Sequence, residues 1–121
     1  MSHARQSLGK LGEDLACREL ERRGYAILAR RYRRRGGEVD IVARQGPTIV
    51  FVEVKTRDSR EFGTGVESVT ALKRRRMADV ALDYLVRHRL TSSACRFDVV
   101  SIELTDTGPM LELFPNAFDA E

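Results

Sequence analysis

The stretch from Glu38 to Lys55 constrains this chain more than any other. Glu38-Val39-Asp40-Ile41-Val42-Ala43 alternates polar and apolar side chains, the two-residue period of a half-buried strand. Thr48-Ile49-Val50-Phe51-Val52-Glu53-Val54-Lys55 is rich in β-branched residues and equally strand-like. Gln45-Gly46-Pro47 between them is a turn signal. Two such runs around so short a turn make an antiparallel hairpin. With Gly46-Pro47 at its centre, Asp40 is expected opposite Glu53, and Glu38 opposite Lys55. Opposed side chains of a hairpin share a face, with Cβ atoms about 4.5–5.5 Å apart. The pattern therefore gathers carboxylates and an ammonium on one patch.

The flanking segments have helical and strand periods. In residues 4–23, Leu8, Leu11, Leu15, Ala16 and Leu20 fall on one helical arc, and Gly24 is a natural stop. Glu13 lies at the edge of that arc, either a boundary residue or a carboxylate aimed into a cleft. Tyr25 begins a strand running towards the arginines, and Gly36-Gly37 breaks it, which gives a meander of three antiparallel strands. Residues 56–66 lack periodicity and are read as a mobile loop. A second helix is predicted over 69–88, capped by Ser68 or Thr70. Its apolar arc holds Val69, Met77, Val80, Ala81, Tyr84 and Leu85, and Lys73 falls on the same inward arc. A strand over 96–104, a turn at Thr105–Pro109 and a short strand over 110–114 complete the chain, with 116–121 as a loose tail. The order αβββαββ predicts one α/β domain over residues 1–121, built around a mixed sheet.

Composition narrows the classes of function. At 121 residues, 42% hydrophobic and 32% charged, the chain suits one globular domain. No apolar run approaches a membrane span, and the polar start gives no secretory signal, so a cytoplasmic protein without a membrane partner is expected. Two distant cysteines, Cys17 and Cys95, make neither a disulfide framework nor a zinc site. His3 and His88 are too remote from each other for Ser-His-Asp chemistry. Gly63-Thr64-Gly65 lacks the Lys-Ser/Thr of a phosphate-binding loop. Charge is uneven: residues 1–60 hold 14 Lys and Arg against 8 Asp and Glu, and residues 61–121 hold 7 against 10. Arg30, Arg31, Arg33, Arg34 and Arg35 form one cluster, and Lys73-Arg74-Arg75-Arg76 another. Such clusters suit a polyanion, although each also reads as a solvated face.

The carboxylates point to metal chemistry. Asp40 and Glu53 repel each other unless a cation lies between them or one is protonated. A hard divalent cation such as Mg²⁺ takes one or two protein carboxylates and keeps positions for water and a phosphate oxygen. Lys55, two residues on, can stabilise phosphorane charge or help deprotonate water. The competing reading is an amphipathic strand with a solvated Glu38–Lys55 pair worth a few tenths of a kcal/mol, so about 0.2–1 at most. Asp inside a strand argues against it.

Asp40 followed by Glu53-Val54-Lys55 resembles the D…(D/E)xK signature of restriction-endonuclease-like nucleases. The wider pattern resembles the YraN family, a bacterial group predicted to share that fold. It covers Gly9-Lys10-Leu11-Gly12-Glu13 with Ala16, Gly24-Tyr25, Arg33, Gly37-Glu38-Val39-Asp40-Ile41-Val42 and Val50 through Arg57. Phe62-Gly63, Val69, Lys73, Arg96 through Val100 and Asn116-Ala117-Phe118 extend it over nearly the whole chain. One departure is Arg31-Tyr32-Arg33, where the family usually has Asn before the aromatic residue. The resemblance implies a three-layer α/β/α domain with a helix on either face of the sheet. It also implies similarity to Holliday-junction resolvases, in which a helix-borne Glu joins the strand carboxylates, a role that falls here to Glu13.

The expected function is a Mg²⁺- or Mn²⁺-dependent endonuclease acting on DNA. Asp40, Glu53 and Glu13 would bind metal, Lys55 would serve the chemistry, and Glu38 and Gly37 would support the site. Arg31, Arg33, Arg34, Arg35, Arg57, Lys73 and Arg74 would hold phosphates. Action on a symmetric junction would require a homodimer, for which the Ser101–Leu104 strand is read as an edge. The alternatives are a non-catalytic nucleic-acid-binding module with the same fold and a protein that uses its arginines on an acidic partner.

Overall fold

The computed structural model describes residues 2–58 and 70–118, with side chains described from Leu8 onward. The described elements are α1 (Ser2–Arg22), β1 (Ala26–Arg34), β2 (Gly37–Gln45), β3 (Thr48–Asp58), α2 (Ala71–Arg87), β4 (Cys95–Thr105) and β5 (Gly108–Phe118). This is the predicted order. Gly24 ends α1 at φ 93°, which lets the Tyr25 N–H return to the Leu20 carbonyl at 2.9 Å. Thr70 caps α2, its hydroxyl oxygen accepting from the Lys73 N–H at 3.1 Å. Ser68, the other cap candidate, and Val69 lie outside the described residues.

The sheet runs β1-β2-β3-β4-β5. β1, β2 and β3 form the expected antiparallel meander, and β3 pairs β4 in parallel. A parallel pair needs a crossover, and α2 lies within it. β5 returns antiparallel to β4. The pleat then divides the apolar side chains into two cores. On one face Ala16, Cys17 and Leu20 of α1 pack on Ile41, Ala43, Val50, Val52, Val100 and Ile102. On the other, Met77, Val80, Ala81, Tyr84 and Leu85 of α2 pack on Val39, Val42, Ile49, Phe51 and Phe97. The result is the expected three-layer α/β/α arrangement. Each fully buried Leu, Ile or Phe stabilises it by about 1.5–3 kcal/mol relative to exposure.

α1 sits very close to β3. A Cβ on Gly12 would lie 1.8 Å from the Thr56 hydroxyl oxygen, so only glycine permits this approach. The contact anchors the turn of α1 that carries Glu13 beside the end of β3.

Several expectations are corrected. The strand starts at Ala26, one residue after the expected Tyr25, and it takes in Arg30 to Arg34 but not Arg35. β3 extends to Asp58, so residues 56–58 of the predicted loop are strand, and its remainder, 59–66, lies outside the described residues. β5 reaches Phe118 and takes in 116–118 of the predicted tail, because Phe118 stacks on Phe97 with centroids 5.0 Å apart and the Asn116 N–H donates to Asp98 at 2.9 Å. The Ser101–Leu104 segment is not an edge: β5 covers it, and among the described residues β1 and β5 are the outer strands of the sheet.

Candidate functional site

The hairpin register is the expected one from Gln45↔Thr48 to Ile41↔Val52, and there the β2–β3 ladder ends. The cause lies on the other side of β2. Arg30 pairs with Ile41 and Tyr32 with Val39, and the ladder steps over Arg31 and Asp40. Arg31 takes φ 53°, an uncommon left-handed conformation for a residue with a side chain. Alternation slips in both strands: Val39 packs on the α2 side and Ile41 on the α1 side. Asp40 is the residue released by this slip. Its Oδ2 accepts the Val54 N–H at 2.8 Å, so a side chain takes the place of the next ladder bond.

This locks Asp40 beside Glu53, which is only 4% exposed. Burial is the largest cause pushing the Asp40 carboxyl up to about 7, the neighbouring Glu53 adds to it, and the Val54 N–H and Lys73 oppose it. Lys73, reaching across from the first turn of α2, donates its ammonium to Glu53 Oε2. Lys55 is half-buried on the Glu53 side of β3 by the strand's alternation. The carboxyl pair and Lys73 thus meet where β2, β3 and α2 converge.

The remaining expected residues are placed elsewhere. Glu38 is not opposite Lys55, because β2 and β3 no longer pair there; it pairs with Arg33 on β1, 3.3 Å away. Gly37 pairs with Arg34 and packs against α2, where a Cβ would lie 3.0 Å from Val80 Cγ2. Glu13 is 6% exposed and accepts from Arg30 at 2.8 Å and Arg31 at 3.2 Å. Among the described residues no three His, Cys, Asp or Glu side chains gather as a metal cage would require. The structure therefore brings Asp40 and Glu53 together and leaves Glu13 bound to arginines.

The arginines are interleaved with acids. Arg30 also holds Asp14 at 2.7 Å, and both carboxylates raise its already high pKa further. Arg34 pairs with Asp83 at 2.8 Å and lies 4.7 Å over the Tyr32 ring, whose hydroxyl donates to the same Asp83. Arg57 stands 3.7 Å from Glu103 and Arg74 lies 6.0 Å from the Phe118 ring, while Arg35 is exposed. Sequence spacing found the clusters but not these partners, which come from other elements. It put Lys73 on the inward arc, either as a helix-end lysine reaching solvent or as a phosphate contact beside the site, and missed that Glu53 is its partner. The only available signal was a Lys on an apolar arc.

The Asp40–Glu53 pair fits a hard divalent cation. Asp40, whose carboxyl is pushed up to about 7, and the buried Glu53, which the Lys73 ammonium meets, are two carboxyl groups that one cation would serve together. No helix among the described residues is long and apolar enough to cross a membrane.

The model for Uncharacterised protein family UPF0102 matches residues 12–102. A UPF0102 protein of Geobacter metallireducens is 50% identical over 119 residues, which cover 98% of this chain and 98% of the relative. One of Geobacter sulfurreducens is 47% identical over 98% of this chain and 93% of its own length. One of Dictyoglomus turgidum is 44% identical over 93% of this chain and 98% of its own. The matched span contains Glu13, Asp40, Glu53, Lys55 and Lys73, so the site and both cores lie within what these proteins share, and the chain belongs to the UPF0102, or YraN, family.

Proposed function

We propose that the chain is a divalent-cation-dependent endonuclease that hydrolyses phosphodiester bonds of DNA, with Mg²⁺ or Mn²⁺ held by Asp40 and Glu53. The observation that supports it best is the Asp40–Glu53 pair itself, a half-buried and a buried carboxyl group set side by side by a break in the strand ladder. Such a cation supplies Lewis-acid polarisation of a phosphoryl oxygen and a bound water of lowered pKa.

The chain's own groups do the positioning. The Val54 N–H fixes one Asp40 oxygen, which leaves the other for the cation. Glu53 is oriented by the rigid central strand β3. Lys55 offers a compact positive charge to the phosphate as its negative charge grows in the transition state. Glu13 joins as a third carboxylate if Arg30 and Arg31 turn from it to the substrate backbone. Arg33, Arg34, Arg57 and Arg74 would then exchange intramolecular partners for phosphates, and the exposed Arg35 would add another contact, which predicts affinity that falls steeply with salt. A symmetric branched substrate would call for two copies of the chain.

The test is cleavage of labelled duplex, single-stranded, flap and four-way-junction DNA in Mg²⁺ or Mn²⁺, with Asp40→Asn purified in parallel. Wild-type cleavage of one substrate, reduced about 100-fold or more in the variant, is expected. Equal cutting by both proteins would assign the activity to a contaminant. Binding by both without cutting would make the chain a nucleic-acid-binding module that keeps the nuclease fold.

A further inference from the structure

We propose that Lys73 is the built-in counter-ion of this site: it neutralises Glu53 in the metal-free protein, and an arriving divalent cation displaces it towards a substrate phosphate. The inference rests on the cation reading above and adds to it a group on α2 that changes partner.

Three observations carry it. First, Glu53 is 4% exposed and lies against Asp40, so a buried charge there requires a counter-charge. The structure supplies one, the Lys73 ammonium on Oε2. Second, the two partners are built differently. Glu53 lies in the middle of the sheet, between Val52 and Val54 of β3, whereas Lys73 is in the first turn of α2 with its side chain 45% exposed. Its flexible stem can swing outward without burying a charge, and Glu53 cannot follow. Third, Lys73 opens the run Lys73-Arg74-Arg75-Arg76 at the start of a helix, where the backbone dipole also favours an anion. An ammonium released from Glu53 therefore enters a region already suited to phosphate.

The exchange follows from charge. An ammonium and a divalent cation repel each other and compete for one carboxylate. Asp40 and Glu53 ionised together carry two negative charges, which a divalent cation balances alone. Lys73 is then surplus inside the site and useful outside it. A point charge on a long stem suits this better than a planar guanidinium, in keeping with Lys being retained here in a chain that otherwise favours Arg.

The test is calorimetric titration of the full chain with Mn²⁺. It compares wild type, Lys73→Met, Lys73→Gln and each of these with Asp40→Asn added, with thermal melting to show that every variant is folded. Lys73→Gln keeps an N–H donor to Glu53 without the charge, which guards against a folding defect in Lys73→Met. Both Lys73 variants are expected to bind Mn²⁺ at least about tenfold more tightly than wild type, and Asp40→Asn to abolish binding throughout. Equal or weaker binding by the Lys73 variants, with Asp40 still required, overturns the counter-ion role and leaves the cation site standing. No Mn²⁺ binding by any protein overturns both. A second readout follows the displaced group. Lys73→Gln should weaken binding of a short duplex in Ca²⁺ but not in EDTA, and lower the salt slope by about 1 in Ca²⁺ alone. An equal loss in both conditions overturns the displacement.

Discussion

Asp40 shows how one residue can be both a structural and a chemical feature. Its carboxylate replaces a missing ladder bond by accepting the Val54 N–H, and the same placement buries it against Glu53. Burial and the neighbouring carboxylate raise its pKa from an ordinary value near 3.8 to about 7. Between these values the folded chain holds a proton that the unfolded chain has released. Folding stability must therefore fall as pH rises across that window, with a contribution of at most about 1.4 kcal/mol per pH unit. Asparagine imitates the protonated form and does not titrate. Asp40→Asn is thus expected to match wild type near pH 4 and to exceed it in stability by pH 8. Urea unfolding in EDTA measures this, and parallel pH profiles for the two proteins would count against the assigned environment.

At the scale of an element, α1 is held to the sheet by an absent side chain. Gly12 stands where a Cβ would collide with Thr56, and Glu13 beside it reaches Arg30 and Arg31 on β1. A Cβ at Gly9, one turn earlier in the same helix, would meet nothing within 4 Å. The two glycines should respond oppositely to the same change. Gly12→Ala is expected to cost about 1–3 kcal/mol by overpacking. Gly9→Ala is expected to gain about 0.5–1 kcal/mol, because alanine loses less backbone entropy in a helix. Denaturant midpoints of the two variants test whether α1 is seated this closely. The same element explains why helical periodicity located α1 but not its distance from β3: periodicity reports which face is apolar, and closeness depends on what the strand presents.

Across the whole molecule, Asp98 ties together segments far apart in sequence. It is fully buried and accepts from the Tyr25 hydroxyl at 3.2 Å, Arg96 at 2.9 Å and the Asn116 N–H at 2.9 Å. Arg96 also donates to Gln45 at 2.6 Å, so the entry to β1, the end of β2, β4 and the end of β5 meet in one polar knot. Asp98→Asn would leave Arg96 without its charged partner and cost about 3–5 kcal/mol. Urea unfolding is the measurement, and Mn²⁺ affinity should be unchanged, since the knot does not touch the Asp40–Glu53 pair. Sequence reading gave Asp98 and Asn116 no role beyond matching a family pattern, and Tyr25 only the start of a strand. Nothing in their spacing says that they meet, because their contacts depend on sheet order and on the left-handed turn of backbone at Asn116 (φ 52°).

The sequence by itself determined much of the local structure and that Asp40 and Glu53 stand side by side. Period-two runs and the Gly46-Pro47 turn set the hairpin register from Ile41 to Val52, and helical arcs set most of the two apolar faces that became the two cores, although Leu11 of the first arc is exposed. These are properties of short segments, governed by backbone geometry and side-chain type. The tertiary structure alone decided where that register stops and what each charge meets. Strict alternation set Glu38 beside Lys55; the slip at Arg31 and Asp40 turned Glu38 to Arg33 and Asp40 to Val54. Helix packing then gave Lys73 to Glu53, and Arg30 and Arg31 to Glu13. Charge pairing across a fold depends on distances in space and on burial, and neither is a function of position along the chain.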